Sequence, residues 1–109
     1  MIEIEAVLDA DGILRACKAS GHAKAGKEGE DIVCASVSFL LGTAFKTISG
    51  RKGITVRGGA PKKGQFWLEA DYNNEGRDFL STAGIFLMEG LQSICQDYPK
   101  NCKLTIKRV

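Results

Sequence analysis

The stretch IEIEAVLDADGILRACKAS, residues 2–20, decides the fold class. Ile2, Ile4, Ala6 and Leu8 alternate with Glu3, Glu5 and Val7, the period of a strand with one buried face. Asp11 and Gly12 tolerate the positive φ of a tight hairpin turn, and ILRACKAS returns as a second strand. Cys17 lies inside that strand, where it reads as a small buried hydrophobe.

Downstream the period changes. From Asp31, placed as N-cap, Val33, Val37, Leu40, Leu41, Ala44 and Ile48 recur at spacings of three and four, and Gly50 closes the run. That pattern predicts an amphipathic helix, and Arg51 and Lys52 complement the negative end of its dipole. GITVRG (53–58) and QFWLEAD (65–71), joined through GGAPKKG, predict a second hairpin. Asn73, Asn74 and Glu75 offer caps for a second helix through Phe79, Leu80, Ala83, Phe86, Leu87, Leu91 and Ile94, stopped near Pro99. CKLTIKRV (102–109) alternates again as a last strand. The order β-β-α-β-β-α-β predicts an α+β fold in two layers, a mostly antiparallel sheet with two helices on one face. At 109 residues and 44% hydrophobic content the chain makes one domain, residues 1–109, without internal repeats.

Composition narrows the function. No apolar run is long enough for a membrane span and the first residues are acidic, so a cytoplasmic protein without membrane contact is expected. The net charge of +2 is far below that of dedicated nucleic-acid binders. Four cysteines without a Cys-x-x-Cys pair, beside one histidine, argue for free thiols and against structural zinc; no metal or other cofactor is expected.

The single histidine opens GHAKAGKEGEDIVCASVS, residues 21–38. Its first seven residues fit the phosphate-cradling spacing G-x-x-x-x-G-K, but Glu28 stands where a magnesium-binding hydroxyl is required, and Glu30 and Asp31 repel phosphate. The better reading starts from Cys34. With Asp31 as cap it falls in the first helical turn, among unpaired backbone N–H groups, a position that favours the nucleophilic thiolate and supplies donors for an oxyanion. A thiolate mechanism also needs a proton acceptor and donor, and His22 is the only imidazole in the chain. Two bland readings compete: His22 as a solvated loop side chain, Cys34 as a core residue of an apolar helix.

The run Gly21-His22-Ala23, then Gly29, Asp31-Ile32-Val33-Cys34-Ala35 and Ser38, closely resembles the signature of the ribosomal-processing cysteine protease (Prp) family. Length and element order agree along essentially the whole chain. The resemblance implies an endopeptidase that removes the N-terminal extension of bacterial large-subunit ribosomal protein number twenty-seven by cutting within a short phenylalanine-containing segment. It also implies a homodimer, with Cys34 as nucleophile and His22 as general base and acid. Asp31 and Ser38 are supporting positions with open roles. Asp31 either orients His22 or caps the helix; Ser38, one turn after Cys34, either hydrogen-bonds in the site or packs as a small residue. Gly21, Gly26 and Gly29 predict a mobile loop that orders over the bound peptide.

A reading from another class is a non-catalytic ribosome- or RNA-binding module. Its basic surface would be Arg51, Lys52, Arg57, Lys62, Lys63, Lys103, Lys107 and Arg108. Trp67 and Val7, alternating away from the core, mark either a dimer contact or a peptide groove. Cys95 and Cys102 are read as structural, paired only if the fold brings them together.

Overall fold

The computed structural model describes residues 1–21, 30–61 and 64–109. Its elements follow the expected order: β1 (Ile2–Leu8), β2 (Leu14–Ser20), α1 (Glu30–Ile48), β3 (Ile54–Gly59), β4 (Gln65–Tyr72), α2 (Arg77–Asp97) and β5 (Cys102–Arg108). The five strands form one sheet in the order β3-β4-β2-β1-β5. Three pairings are antiparallel; β5 alone runs parallel to its neighbour β1, with Ile2 opposite Cys102 and Ala6 opposite Ile106.

The period-two patterning has its expected consequence. Ile2, Ile4, Ala6 and Leu8 of β1 are buried, and Cys17 and Ala19 of β2 and Leu68 and Ala70 of β4 lie in register on the same face. Val33, Val37 and Leu41 of α1 and Leu80, Leu87 and Leu91 of α2 are buried with them. Each fully buried side chain of this size contributes about 1.5–3 kcal/mol, so the apolar face and the two helices hold each other in place. The opposite face is open to solvent. It carries Trp67 beside ion pairs such as Arg57–Glu69 (2.8 Å) and Lys107–Glu5 (3.2 Å). Among the described residues no helix is long and apolar enough to cross a membrane.

The first connection is the tight turn expected: the Gly12 N–H donates to the Asp9 carbonyl (2.9 Å), the Asp9 N–H donates to the Ile13 carbonyl (2.9 Å), and Gly12 takes the positive φ (+79°). Three details differ from the sequence expectation. Helix α1 begins at Glu30, so Asp31 lies inside its first turn and not at the cap position, and Cys34, expected in that turn, is the fifth residue and falls just past it. Burial of Val33 and Val37 fixes the helix more strongly than cap chemistry does. Helix α2 is preceded by Gly76 with no side-chain cap. A Cβ there would collide with the Gly53 carbonyl, which excludes the expected Asn or Glu; Asn73 instead accepts the Glu75 N–H (2.9 Å) in a turn before the helix. Finally, Phe86, expected on the core face of α2, is 74% exposed. The adjacent Leu87 takes the core position, and Phe86 falls on the flank away from the sheet.

Asp9 closes the first connection. One carboxylate oxygen accepts the backbone N–H groups of Asp11 (2.9 Å) and Ile13 (3.0 Å), and the other accepts the Tyr72 hydroxyl. The Tyr72 bond is the largest influence, and with the two backbone bonds it holds the Asp9 carboxyl below its ordinary 3.8 against the opposing effect of burial. A depressed carboxyl contributes stability that is complete above the unfolded value and lost as pH falls through the lower folded value. Asp9→Asn should therefore lower the urea midpoint at neutral pH, and the gap to wild type should close as pH drops below 3.8. A gap that stays constant with pH would show that the ionised carboxylate is not what matters.

Candidate active site

The end of β2, the start of β4 and the first half of α1 meet at one end of the sheet, because Ala19 and Ser20 pair with Phe66 and Gln65. A cleft of about 290 Å³ opens there. Ile2, Ala19, Val37, Leu41 and Phe66 make its walls apolar, while Cys34, Ser38 and Gln65 bring the polar groups. Val33 and Val37 point into the core, so the residues that follow them in α1, Cys34 and Ser38, sit about 100° further around the helix, one turn apart, and both line the cleft. Cys34 is partly exposed and free; Ser38 is exposed.

The rim is held by backbone. The Gly21 N–H donates to the Gly64 carbonyl (3.1 Å), tying the exit of β2 to the β3–β4 connection. Neither position has room for a side chain: a Cβ on Gly21 would stand 2.5 Å from the Met1 carbonyl oxygen, and one on Gly64 would run into the Gly21 carbonyl. Gly64 also has φ +82°, which disfavours any other residue.

The other three thiols are placed differently. Cys17 is buried in the sheet, and burial pushes its thiol up to about 12. Cys102 is buried and likewise pushed up to about 12, by burial first and then by its hydrogen bond with Cys95. Cys95 lies against Cys102. Of the sequence-predicted site residues, the fold thus gathers Cys34, Ser38 and Gly21 at one cleft and puts Asp31 in the first turn of the same helix. His22, Gly26 and Gly29, and with them most of the expected mobile loop, lie outside the described residues. The sequence reading missed Ile2, Phe66 and Gly64, which reach the cleft through strand pairing and carry no local signal.

Comparison with known proteins places this geometry. A family model described as cysteine protease Prp matches residues 1–103. The chain belongs to that family. Its members' activity makes it a cysteine protease. Comparison with curated proteins returned no match. Among solved structures, the essential ribosomal processing protease Prp from S. aureus in complex with a substrate peptide superposes with a TM-score of 0.82 at 24% identity, over 98% of this chain and 100% of that one. The same S. aureus protease with a covalently linked product peptide gives 0.80 at 25% identity, with the same coverage. SMU.848 from Streptococcus mutans gives 0.82 at 22% identity, over 100% of this chain and 96% of that one. These likenesses extend to the strand order and the two-helix layer.

The rim geometry predicts that Gly64→Ala destabilises the protein by about 1 kcal/mol or more, since it combines an unfavourable φ with a backbone collision. Thermal unfolding should show a lowered melting temperature. Gly59→Ala is the control: its methyl would meet the Trp67 ring only at an ordinary 3.5 Å, so its loss should be much smaller. Equal losses in the two variants would contradict the tight rim.

Proposed function

We propose that this chain is a ribosomal-processing endopeptidase that removes the N-terminal extension of large-subunit ribosomal protein number twenty-seven, with Cys34 as nucleophile and His22 as general base and acid. The observation that carries this reading is the position of Cys34. A cysteine protease needs a thiol that a bound peptide can reach, and of four cysteines two are buried and a third is engaged with one of those, whereas Cys34 is partly exposed and lines a cleft with apolar walls. Chain connectivity supports the partner: His22 is bonded to Gly21, which lines the same cleft. The S. aureus relative carries a substrate peptide in one structure and a covalently linked product peptide in another, which supports a peptide substrate and a covalent step.

In this mechanism His22 takes the proton from Cys34, and the thiolate attacks the scissile carbonyl to form the carbon–sulfur bond. Cys34 is the fifth residue of α1, and helical side chains lean toward the helix N-terminus, so the developing oxyanion forms near first-turn N–H groups that have no intrahelical acceptor. The tetrahedral intermediate collapses as His22 returns the proton to the leaving amine. Water, deprotonated by His22, then releases the acyl group and regenerates the thiol. The apolar walls at Ile2, Val37, Leu41 and Phe66 suit a phenylalanine side chain next to the cut bond. Ser38, beside Cys34 in the cleft, is a hydrogen-bonding group for the peptide backbone.

The non-catalytic RNA-binding reading gains nothing from the structure. Of its basic surface, Lys62 and Lys63 lie outside the described residues, and Lys52, Arg57 and Lys107 are each engaged by a carboxylate, from Glu75, Glu69 and Glu5. The decisive experiment is intact mass of an extended ribosomal protein number twenty-seven after incubation with wild type, Cys34→Ser and His22→Ala. Loss of one N-terminal peptide with wild type alone is expected, with either variant down by at least about 10³-fold. Cleavage that survives Cys34→Ser would end the proposal.

The homodimer belongs to the same reading, and the outer groove between α1 and α2 supports it. Phe39 and Phe86 stand 75% and 74% exposed there, flanked by Leu40, Phe79 and Ala83. Two large aromatic rings on neighbouring helices make an apolar patch of the kind that a second copy covers. Light scattering should find a dimer that Phe86→Asp converts to a folded monomer. A wild-type monomer across micromolar concentrations would rule the dimer out.

A further inference from the structure

The pair Cys95 and Cys102 takes no part in the chemistry above, yet their sulfur atoms are 2.6 Å apart, closer than two unbonded thiols rest. They bridge two elements: Cys95 lies in the last turn of α2 and Cys102 opens β5. The intervening turn is fixed by its own hydrogen bonds. The Tyr98 N–H donates to the Ile94 carbonyl (2.9 Å), and the Tyr98 carbonyl accepts from Asn101 (3.0 Å) and Cys102 (3.1 Å). Its far end is held by the Ile2 N–H, which donates to the Asn101 carbonyl (2.8 Å). A bond of about 2.05 Å between these sulfurs needs them to close by a fraction of an ångström.

We propose that Cys95 and Cys102 are a reversible disulfide site, closed by small-molecule disulfides and opened by thiol reductants, that staples α2 to the parallel edge of the sheet. Exposure assigns the roles, because Cys102 is only 3% exposed and Cys95 is half-buried. With glutathione disulfide as oxidant, the Cys95 sulfur attacks one glutathione sulfur and releases the first glutathione as a thiol, which keeps the proton Cys95 gives up. The Cys102 sulfur, already in contact, attacks the Cys95 sulfur of the mixed disulfide, forms the protein S–S bond and releases the second glutathione with the Cys102 proton. Two protein thiols are thereby oxidised by two electrons, and one glutathione disulfide is reduced to two thiols. Contact between the two sulfurs makes the second step intramolecular.

The staple bears on the cleft from behind. Cys102 pairs with Ile2 in the β1–β5 ladder, and Ile2 is a wall of the Cys34 cleft. Oxidation therefore locks the strand that carries this wall to the helix layer while leaving Cys34 outside the bond.

The test uses the full chain carrying Cys34→Ser, so that the cleft thiol cannot take part. The protein is exposed to glutathione disulfide, remaining thiols are alkylated at acid pH, and trypsin is applied without reductant. Lys100 lies between the two cysteines, so cleavage separates peptide 78–100, which contains Cys95, from peptide 101–103, which contains Cys102. The expected result is recovery of these two peptides as one linked species, lost on adding dithiothreitol. The oxidised protein should also melt at least about 5 °C above its reduced form. That rise should vanish in Cys95→Ala. Recovery of the two peptides separately, alkylated or each carrying glutathione, would overturn the proposal; the mapping needs no cysteine of the pair to be mutated, so a misfolded variant cannot mimic either outcome.

Discussion

The burial of Val33, Val37 and Leu41 along one stripe of α1, at 0%, 3% and 0% exposure, is the constraint from which the rest of the structure follows. These residues lock the helix's rotation against the sheet. Cys34 and Ser38 stand one position beyond the first two, so packing alone carries both to the flank over the β2–β4 junction. A helix turned by one residue would bury the thiol and expose a valine in its place. The site is in this sense a by-product of the core, with the same stretch of α1, Val33 to Leu41, supplying both apolar anchors and polar groups.

What surrounds Cys34 depends on contacts distant in sequence. Residues of β1, β2, β4 and the β3–β4 connection contribute to one cleft because the strand order sets β2 between β4 and β1. Its rim is narrow enough that Gly21 and Gly64 meet backbone to backbone. The glycine contact joins the exit of β2, from which the chain leaves toward His22, to the connection facing it. Shape and chemistry converge from different parts of the chain: apolar walls from the strands, and the thiol from the N-terminal part of α1.

Much of this was legible in the chain. Alternation in residues 2–20 and the shift to spacings of three and four after Asp31 are direct imprints of a one-sided sheet covered by helices, and both appear in the fold. Cys34 was expected as the third residue of its helix and is the fifth, but Cys17 was readable as a core residue, because periodicity reports which way a side chain faces. It does not report which strands are neighbours, so neither the parallel placement of β5 beside β1 nor the cleft walls at Ile2 and Phe66 could be read. Capping rules failed at Asp31 and at Asn73 to Glu75 because tertiary contacts decided those ends, a buried valine stripe in one case and the Gly53 carbonyl in the other. The meeting of Cys95 and Cys102 depends on the geometry of one turn after α2, which no spacing rule contains.

Of the four thiols, the fold leaves Cys34 partly exposed in the cleft, buries Cys17 and Cys102, and sets Cys95 against Cys102. The most direct test is labelling of the native protein with less than one equivalent of iodoacetamide, followed by peptide mapping. The label should fall on Cys34 first, while Cys17 and Cys102 stay unmodified until the protein unfolds and Cys95, held against Cys102, lags behind. Label spread evenly between Cys34 and Cys95, or absent from Cys34 while another cysteine reacts, would contradict this placement.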